Sequence, residues 1–384
     1  MANEKVKDKG KDFLKVLEDR FNAYFEPDVF RTGIIPLDLV LNGGLETGSL
    51  IELSGESQSG KSTLILHLVK NMAESGYKTL YIDSEGSVKE DMIRGIGLGP
   101  FLATKKNKNN LFTVVRESGY KGVEDLIDAA LQTNEYKLFV IDSLSALAND
   151  EYLDVSSDRS ATEMRIGLDA QLTSRLLKKL NALKTEHNCI FIIINQTRVD
   201  LSNTFKPTYS STGGQAVKFY PDIRLFMRVV SKIKEKRALI VGEQEIPIGA
   251  NCTIEARKSR LGAGNIPYPL VVYYGKGISS LAAYESLLPR VIIKKKPVLE
   301  RTSTVSYLLR LPSGEYKTSK GEAGLHTLVA EHFDELTKIM DEYLDDYFKK
   351  VEKDELKISD EIVEDVEANS ISLDDTLNDS ISLE

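Results

Sequence analysis

Residues 49–75 join a strand-like apolar run, a glycine-rich turn and a helix-like run. The turn, GESQSGKS at 55–62, fits the pattern G-x-x-x-x-G-K-[ST], is preceded by SLIELS and is followed by TLILHLVKNMAES. A strand before this motif and a helix after it allow backbone N–H groups to form an anion nest at a helix N-terminus. The motif therefore predicts an α/β architecture with a phosphate site. The residues assigned to this site are Gly55, Glu56, Ser57, Gln58, Ser59, Gly60, Lys61, Ser62 and Thr63.

The residue types of this motif indicate the ligand. Lys61 is expected to reach the β and γ phosphates of a nucleotide, and the Ser62 hydroxyl is expected to ligate Mg²⁺. A later strand-like run, KLFVID, ends on Asp142, the usual place for a carboxylate that holds Mg²⁺ through water. The predicted cofactors are ATP and Mg²⁺, with Ser62 and Asp142 as the metal site.

Two more carboxylates lie at the end of the run KTLYID: Asp83 is its last residue, and Glu85 follows two residues later. Ligands of open α/β sheets bind beyond the carboxyl ends of the strands, so one of these acids can polarise an attacking water. Glu85 lies just past the strand end and is the predicted general base. The alternative is that an acid here only caps the following helix.

Apolar strand-like runs alternate with helical runs from about residue 31 to 285. This alternation predicts a mostly parallel, twisted sheet with helices on both faces. The runs DIRLFMRVV, CTIEARKS and PLVVYYG have no long helices between them and are expected to extend the sheet in antiparallel fashion. Residues 286–350 are predicted to form a small α+β domain.

The ends of the chain differ from its body. Within residues 1–30, the stretch 11–25 has apolar residues at helical spacing, and this amphipathic helix packs either on its own domain or on a neighbouring subunit. Residues 351–384 carry twelve acids against two lysines, a charge of -10, and are expected to be disordered. The first 350 residues then have 48 basic and 46 acidic side chains, or +2, so nucleic acid is an admissible ligand despite a net charge of -8.

Membrane and secretory proteins are excluded on sequence grounds. No run approaches the roughly 18 apolar residues of a membrane helix, and the charged start MANEKVKDKGKDF has no apolar signal region. The two cysteines, Cys189 and Cys252, lie in apolar segments and are expected in the core. The expected location is the cytoplasm.

The order of motifs resembles the RecA family of recombinases, either bacterial RecA or a phage-encoded relative. The residues that carry the resemblance are RTGIIPLDLVLNGGLETGSLIELSGESQSGKSTL, YIDSEG, LFVIDSLSAL, FIIINQTR and TGGQAVKFYPDIRL, between about Phe30 and Gly277. The resemblance implies a RecA-type P-loop ATPase core with an N-terminal polymerisation helix. It also implies that Glu85 activates water and that Gln196 couples the nucleotide state to the loop after it.

That loop lacks both a two-residue and a 3.6-residue period. The resemblance identifies about Thr197 to Thr212 as the second DNA-binding loop, ordered by DNA, and a first loop near Asp154 to Ile166. By composition alone a solvated loop is an equally admissible interpretation. The predicted DNA-binding residues of the two loops are Arg165, Ile166, Arg198, Leu201, Phe205, Gly213 and Gly214.

Lys258 and Arg260 lie on one face of a predicted strand, ARKSRLG. They form either an exposed basic strand or, as the resemblance implies, cationic fingers that reach a neighbour's γ-phosphate. The family's adenine-stacking aromatic position is occupied by Met92, so the base contact is unassigned. Arg290, Lys294, Lys295 and Lys296 form either a patch for duplex DNA or a solvated charge run.

The resemblance implies an ATP-dependent recombinase that forms helical filaments on single-stranded DNA, pairs that strand with a homologous duplex and exchanges strands. A single-strand-binding or loader protein is a further expected partner. Two other classes stay open on the residues alone. One is a RecA-core motor or repair accessory ATPase, helicase-like or RadA-like, and the other is a non-catalytic regulator that binds partners through its acidic tail.

Overall fold

The computed structural model describes residues 28–105, 107, 110–148, 159–200, 208–211, 215–239, 242–259 and 266–352. The structure divides into two compact units between Ser286 and Leu287. The predicted helix at 11–25 lies outside the described residues, as does the predicted tail except for residues 351–352. The division into 1–30, 31–285, 286–350 and 351–384 therefore stays a prediction.

The first unit contains a small two-stranded sheet and a large central sheet. The small sheet pairs β1 (Val29–Phe30) with β2 (Leu45–Glu46). The ten strands of the central sheet are β3 (Leu50–Gly55), β4 (Lys78–Asp83), β5 (Phe112–Arg116), β6 (Tyr136–Asp142), β7 (Ile190–Asp200), β8 (Thr208–Ser211), β9 (Ile223–Leu239), β10 (Gly242–Lys258), β11 (Tyr268–Tyr273) and β12 (Gly277–Ile278).

The order across the central sheet is β12-β11-β10-β9-β3-β7-β6-β4-β5, and β8 pairs with β7 off this path. All pairs from β5 through β3 to β9 are parallel, whereas β9, β10, β11 and β12 pair in antiparallel fashion. The mostly parallel α/β fold with an antiparallel extension is therefore confirmed.

Helices cover both faces of this sheet. In β6, Leu138 and Val140 belong to one buried cluster, and Phe139 and Ile141 belong to the other, as the two-residue period of a strand requires. None of the described helices is both long and apolar enough to cross a bilayer. The helices are α1 (Ile35–Val40), α2 (Lys61–Glu74), α3 (Glu90–Ile96), α4 (Tyr120–Leu131), α5 (Arg159–Glu186), α6 (Ala216–Phe219) and α7 (Ser280–Leu287).

Two predicted loops contain regular structure. β7 continues to Asp200 and pairs with β8, so the interval 197–212 is an antiparallel ribbon at its two ends. Helix α5 begins at Arg159, so Arg165 and Ile166 belong to a helix and not to a loop. The sequences of these segments, RSATEMRI, TRVD and TYSS, are rich in polar residues and show no clear apolar period. The prediction of wholly irregular loops was therefore wrong at these positions.

Strands β9 and β10 are longer than their apolar runs predict, at 17 residues each. Beyond Met227, β9 no longer pairs with β3, and beyond Ile233 it continues with β10 as a two-stranded ribbon. The added part of β9, SKIKEKRAL, is mostly charged and has no apolar face. This part of β9 is a strand because it pairs with β10, and an apolar pattern within β9 alone does not predict that pairing.

The second unit is α+β. It contains the hairpin β13 (Ile292–Ile293) and β14 (Lys296–Pro297), and an antiparallel sheet of β15 (Leu299–Ser303), β16 (Ser306–Arg310) and β17 (Tyr316–Lys320). Helices α8 (Gly321–Glu331) and α9 (Phe333–Glu352) follow. The buried face of these helices includes Leu325, Leu328, Val329, Leu336, Met340 and Leu344.

A buried carboxyl group in α1 gives the fold a pH-dependent contribution. Asp38 is 3% exposed and accepts a hydrogen bond from the Thr32 N–H at 2.7 Å. Burial raises the pKa of Asp38 from 3.8 to about 6, against the opposing effect of the Thr32 hydrogen bonds. Because the folded chain holds this proton more tightly than the unfolded chain, this stabilisation is complete below about pH 4 and is lost as the pH rises through about 6.

Asp38→Asn keeps a hydrogen-bond acceptor and removes the titration. Relative to this variant, the free energy of unfolding of the wild type is expected to fall by roughly 2 to 3 kcal/mol between about pH 4 and pH 7. Urea denaturation across this range measures the difference. Asp125→Asn, at an exposed position, is the control. Parallel curves for wild type and Asp38→Asn would contradict the assignment.

Candidate nucleotide and catalytic site

The turn between β3 and α2 has the backbone of a phosphate-binding loop. Gly60, the N-cap of α2, has φ 90°, and a Cβ there would lie 2.8 Å from Val272 Cγ1. A Cβ on Gly55 would lie 2.3 Å from the Met227 carbonyl oxygen. Both positions therefore require glycine. No side chain caps the first turn of α2, so its N–H groups form the kind of helix N-terminus that binds anions.

Lys61 lies across this loop. Its Nζ donates hydrogen bonds to the carbonyl oxygens of Gly55 at 3.0 Å and Glu56 at 2.7 Å. Burial lowers the pKa of Lys61, while the nearby carboxylates of Asp142, Glu85 and Glu56 act in the opposite direction. The ammonium group is thus held at the loop by backbone oxygens and negative neighbours.

Asp142, at the end of β6, is held by a buried tyrosine. Tyr81 is fully buried, and its hydroxyl donates to Asp142 Oδ2 at 2.5 Å. The nearby Ser62 hydroxyl also favours the ionised form of this carboxyl group. Burial raises the pKa of Asp142, and the hydroxyl groups of Tyr81 and Ser62 oppose that shift. One carboxylate and one hydroxyl fit Mg²⁺, which takes its remaining ligands from water and substrate phosphates.

Glu85, two residues past the end of β4, meets Gln196 of β7, the residue at which the parallel pairing of β7 with β3 ends. The Gln196 Nε2 donates to Glu85 Oε1 at 2.9 Å, and the Ser143 hydroxyl donates to the same oxygen. β6 lies between these strands, and its Asp142 is in register with Asp83 of β4 and Ile194 of β7. The structure therefore brings together the two residues that the sequence assigned to water activation and coupling.

These groups surround one cavity of about 540 Å³. Glu85, Asp142 and Gln196 line it together with residues from the turn at 55–62. Seven lining residues were not part of the sequence-based site or had no assigned contact there. They are Ser87, Met92, Ser143, Ile194, Pro247, Tyr274 and Gly275.

Tyr274 is the aromatic residue that the sequence analysis missed. Its hydroxyl donates to the Gln58 carbonyl oxygen at 3.3 Å, so the ring lies beside the phosphate loop. Helix α3, which carries Met92, packs closely against the residue that follows Tyr274. A Cβ on Gly95 of this helix would lie 2.0 Å from the Gly275 carbonyl oxygen. The aromatic pair Tyr273-Tyr274 at the end of β11 was the sequence feature that could have identified this residue. Tyr274 and Met92 thus offer apolar surface for a nucleotide base.

Lys258 is not among the described residues that line this cavity. At the end of β10, its Nζ donates to the carbonyl oxygens of Phe219 at 2.8 Å and Pro221 at 2.6 Å, just after α6. Its predicted partner Arg260 lies outside the described residues. Lys258 is therefore placed apart from the nucleotide cavity of its own chain.

The predicted DNA-binding residues are only partly described. Arg198 lies in β7, and Arg165 and Ile166 lie in α5, but their side chains are outside the described part of the structure. Leu201, Phe205, Gly213 and Gly214 lie outside it altogether. Their contacts stay predictions.

The basic candidate patch belongs to the second unit. Lys294 and Lys295 form the turn between β13 and β14 with φ values of 50° and 67°. Positive φ at both central residues is typical of the type I′ turns that close two-residue hairpins. Lys294, Lys295 and Lys296 are all exposed. Exposure permits a DNA contact but equally fits a solvated charge run.

Comparison with known proteins gives one consistent result. The family model described as RecA N-terminal domain matches residues 3–279. The protein RecA of Bartonella bacilliformis is 30% identical over 272 residues, which cover 71% of this chain and 72% of that protein. The protein RecA of Clostridioides difficile is 28% identical over 342 residues, or 88% of this chain and 89% of that protein. The protein RecA of Azospirillum lipoferum is 29% identical over 276 residues, or 71% and 70% of the two chains.

Proposed function

Because the chain belongs to the RecA family, we propose that it is an ATP-dependent DNA recombinase that forms filaments on single-stranded DNA and pairs that strand with a homologous duplex. Membership confirms the resemblance and supports roles in DNA recombination and repair, with ATP and DNA as ligands. The observation that carries the proposal is the Gln196 to Glu85 hydrogen bond, which joins the proposed catalytic carboxylate to the stem of the β7–β8 ribbon.

The nucleotide site is proposed to bind ATP with Mg²⁺. The N-terminal turn of α2 and Lys61 would hold the phosphates, Ser62 and Asp142 would hold the metal, and Tyr274 and Met92 would enclose the base. Bound ATP and Mg²⁺ supply the phosphoryl group and neutralise its charge. Glu85 accepts a proton from the attacking water, and Gln196 keeps the carboxylate oriented.

DNA is proposed to act through the two predicted loop segments, near residues 154–166 and 197–212. Arg198 would contact backbone phosphate, Leu201 and Phe205 would face unstacked bases, and Arg165 and Ile166 would add contacts from the start of α5. Gly213 and Gly214 give the end of the second segment the conformational freedom that an ordering transition needs. Gln196 immediately precedes the second segment, so ordering by DNA would reach Glu85 through one hydrogen bond.

Filament formation is proposed to complete the catalytic site. Lys258 lies apart from its own cavity, which supports a role for it and for Arg260 at the γ-phosphate of an adjacent subunit. The N-terminal helix would supply part of the contact between subunits. The expected partners are single-stranded and homologous duplex DNA, further copies of the chain, and a single-strand-binding or loader protein. The expected location is the cytoplasm.

Hydrolysis of ATP without DNA, with duplex DNA and with single-stranded DNA tests this function. We expect single strands to stimulate hydrolysis by at least about tenfold, because they order the segment that directly follows Gln196, the hydrogen-bond partner of Glu85. A chain ending at residue 350 lacks the acidic tail and is expected to be stimulated at lower DNA concentrations. Equal rates in all three conditions would overturn the proposed coupling between DNA and the ATP site.

A further inference from the structure

The hydrogen bonds around Glu85 point to a residue that neither the motif nor the family resemblance assigned. We propose that Ser143 is a positioning residue for Glu85, and that its hydroxyl determines which carboxylate oxygen is available to the attacking water. This inference rests on the proposed catalytic role of Glu85. Ser143 itself is not expected to touch the reacting atoms as an acid or a base.

The direction of the hydrogen bonds follows from the donor count. A hydroxyl group has one proton, and an ionised carboxylate only accepts. Ser143 Oγ donates to Glu85 Oε1, so its contact with Ser145 Oγ at 2.8 Å requires Ser145 to be the donor. Ser145 therefore donates to Ser143 and Ser143 donates to Glu85, so both hydrogen bonds point toward the carboxylate.

The two oxygens of Glu85 are not equivalent. Oε1 accepts from both Ser143 Oγ and Gln196 Nε2, the latter at 2.9 Å. Oε2 accepts no side-chain hydrogen bond from the residues that the structure describes. Because Glu85 lines the nucleotide cavity, Oε2 is the oxygen left to accept a proton from water.

Ser143 is well suited to hold the carboxylate, because its own position is constrained. It is 1% exposed, and its carbonyl oxygen accepts a hydrogen bond from Ser84 Oγ at 2.7 Å. The N–H of Ser84 donates to the carbonyl oxygen of Asp142 at 2.7 Å. The end of β4, which carries Glu85, is thus tied to the end of β6 through backbone and side chain, and a functional group held in this way is preorganised.

The test compares Ser143→Ala with Ser143→Cys, whose thiol is a weaker donor. For Ser143→Ala we expect the turnover number for ATP in the presence of single-stranded DNA to fall by about tenfold, with KM within about twofold. Ser143→Cys should lie between wild type and Ser143→Ala. Affinity for a fluorescent ATP analogue and thermal stability are expected to stay near wild type in both variants. Ser145→Ala, whose hydroxyl contacts Ser143 but not Glu85, should lower turnover by at most about threefold.

A double-mutant cycle with Glu85→Gln separates positioning from a general structural effect. Residual rates are read by single-turnover hydrolysis of radiolabelled ATP. In the Glu85→Gln background, Ser143→Ala is expected to cause no further loss, because the group that it positions is already gone. Equal losses in both backgrounds, or a raised KM with unchanged turnover, would overturn the positioning role.

The proposed function and this inference fail in different ways. Wild-type hydrolysis by Glu85→Gln would remove the catalytic assignment of Glu85 and, with it, the role of Ser143. A strongly impaired Glu85→Gln together with a fully active Ser143→Ala would overturn only the role of Ser143. If Ser143→Ala does not fold, an unimpaired Ser143→Cys that folds would overturn the role equally.

Discussion

Replacing Glu85 with glutamine is expected to lower the rate of ATP hydrolysis by about 10²- to 10⁴-fold, the range typical for loss of a general base. The amide keeps the shape of the side chain, and its oxygen can still accept the hydrogen bonds of Ser143 and Gln196. It cannot take a proton from water at neutral pH. Affinity for ATP should change little, because Lys61 and Ser62 are untouched. Steady-state hydrolysis and binding of a fluorescent ATP analogue measure the two effects.

Glu74→Gln is the matched control for this variant. Glu74 is an exposed residue of α2 that pairs with Lys70 at 3.0 Å, so the same chemical change there should leave hydrolysis near wild type. Assembly on single-stranded DNA with ATP is expected to survive in Glu85→Gln and to last longer if hydrolysis drives release. A hydrolysis rate near wild type in Glu85→Gln would assign water activation to another group.

Replacing Lys258 with alanine is expected to reduce DNA-dependent hydrolysis by about 10³-fold, the lower end of the range for a cation supplied in trans. Binding of ATP by the isolated chain should stay near wild type, because Lys258 does not line its own cavity among the described residues. Lys232→Ala, at an exposed position of β9, is the control for loss of one positive charge. Light scattering on single-stranded DNA reports whether the variant still assembles.

Mixing two inactive variants tests the action in trans directly. In an equal mixture of Lys258→Ala and Glu85→Gln, an interface is competent when Glu85 comes from one variant and Lys258 from the other. In a head-to-tail assembly with random order this holds for about a quarter of the interfaces, so about a quarter of wild-type activity is expected. No recovery of activity in a mixture that assembles would contradict a role across the interface.

The phosphate loop was predictable from sequence because its residues are contiguous. Gly55 and Gly60 mark backbone positions that other residues cannot adopt, and Lys61 and Ser62 follow them directly. The parallel strands were also predictable, because strands buried on both faces appear as continuous apolar runs. By contrast, the ribbon parts of β7, β9 and β10 have sequences rich in polar residues, and their strand character was missed.

Tyr274 was missed for a different reason. It is separated from Gln58, whose carbonyl oxygen accepts its hydroxyl, by more than two hundred residues, and a local pattern cannot report that contact. Tyr81 looked like an ordinary strand residue, although its hydroxyl holds Asp142. Such roles depend on which strands are neighbours in the sheet.

The sequence by itself determined the βαβ core, the phosphate loop and the polar residues at the strand ends, because these follow from local periodicity and from motifs of adjacent residues. Only the tertiary structure decided that Ser143 and Gln196 meet on the same oxygen of Glu85 and that Tyr274 and Met92 line the cavity. The strand order sets those contacts. It results from packing between segments far apart in the chain, and no single segment encodes it.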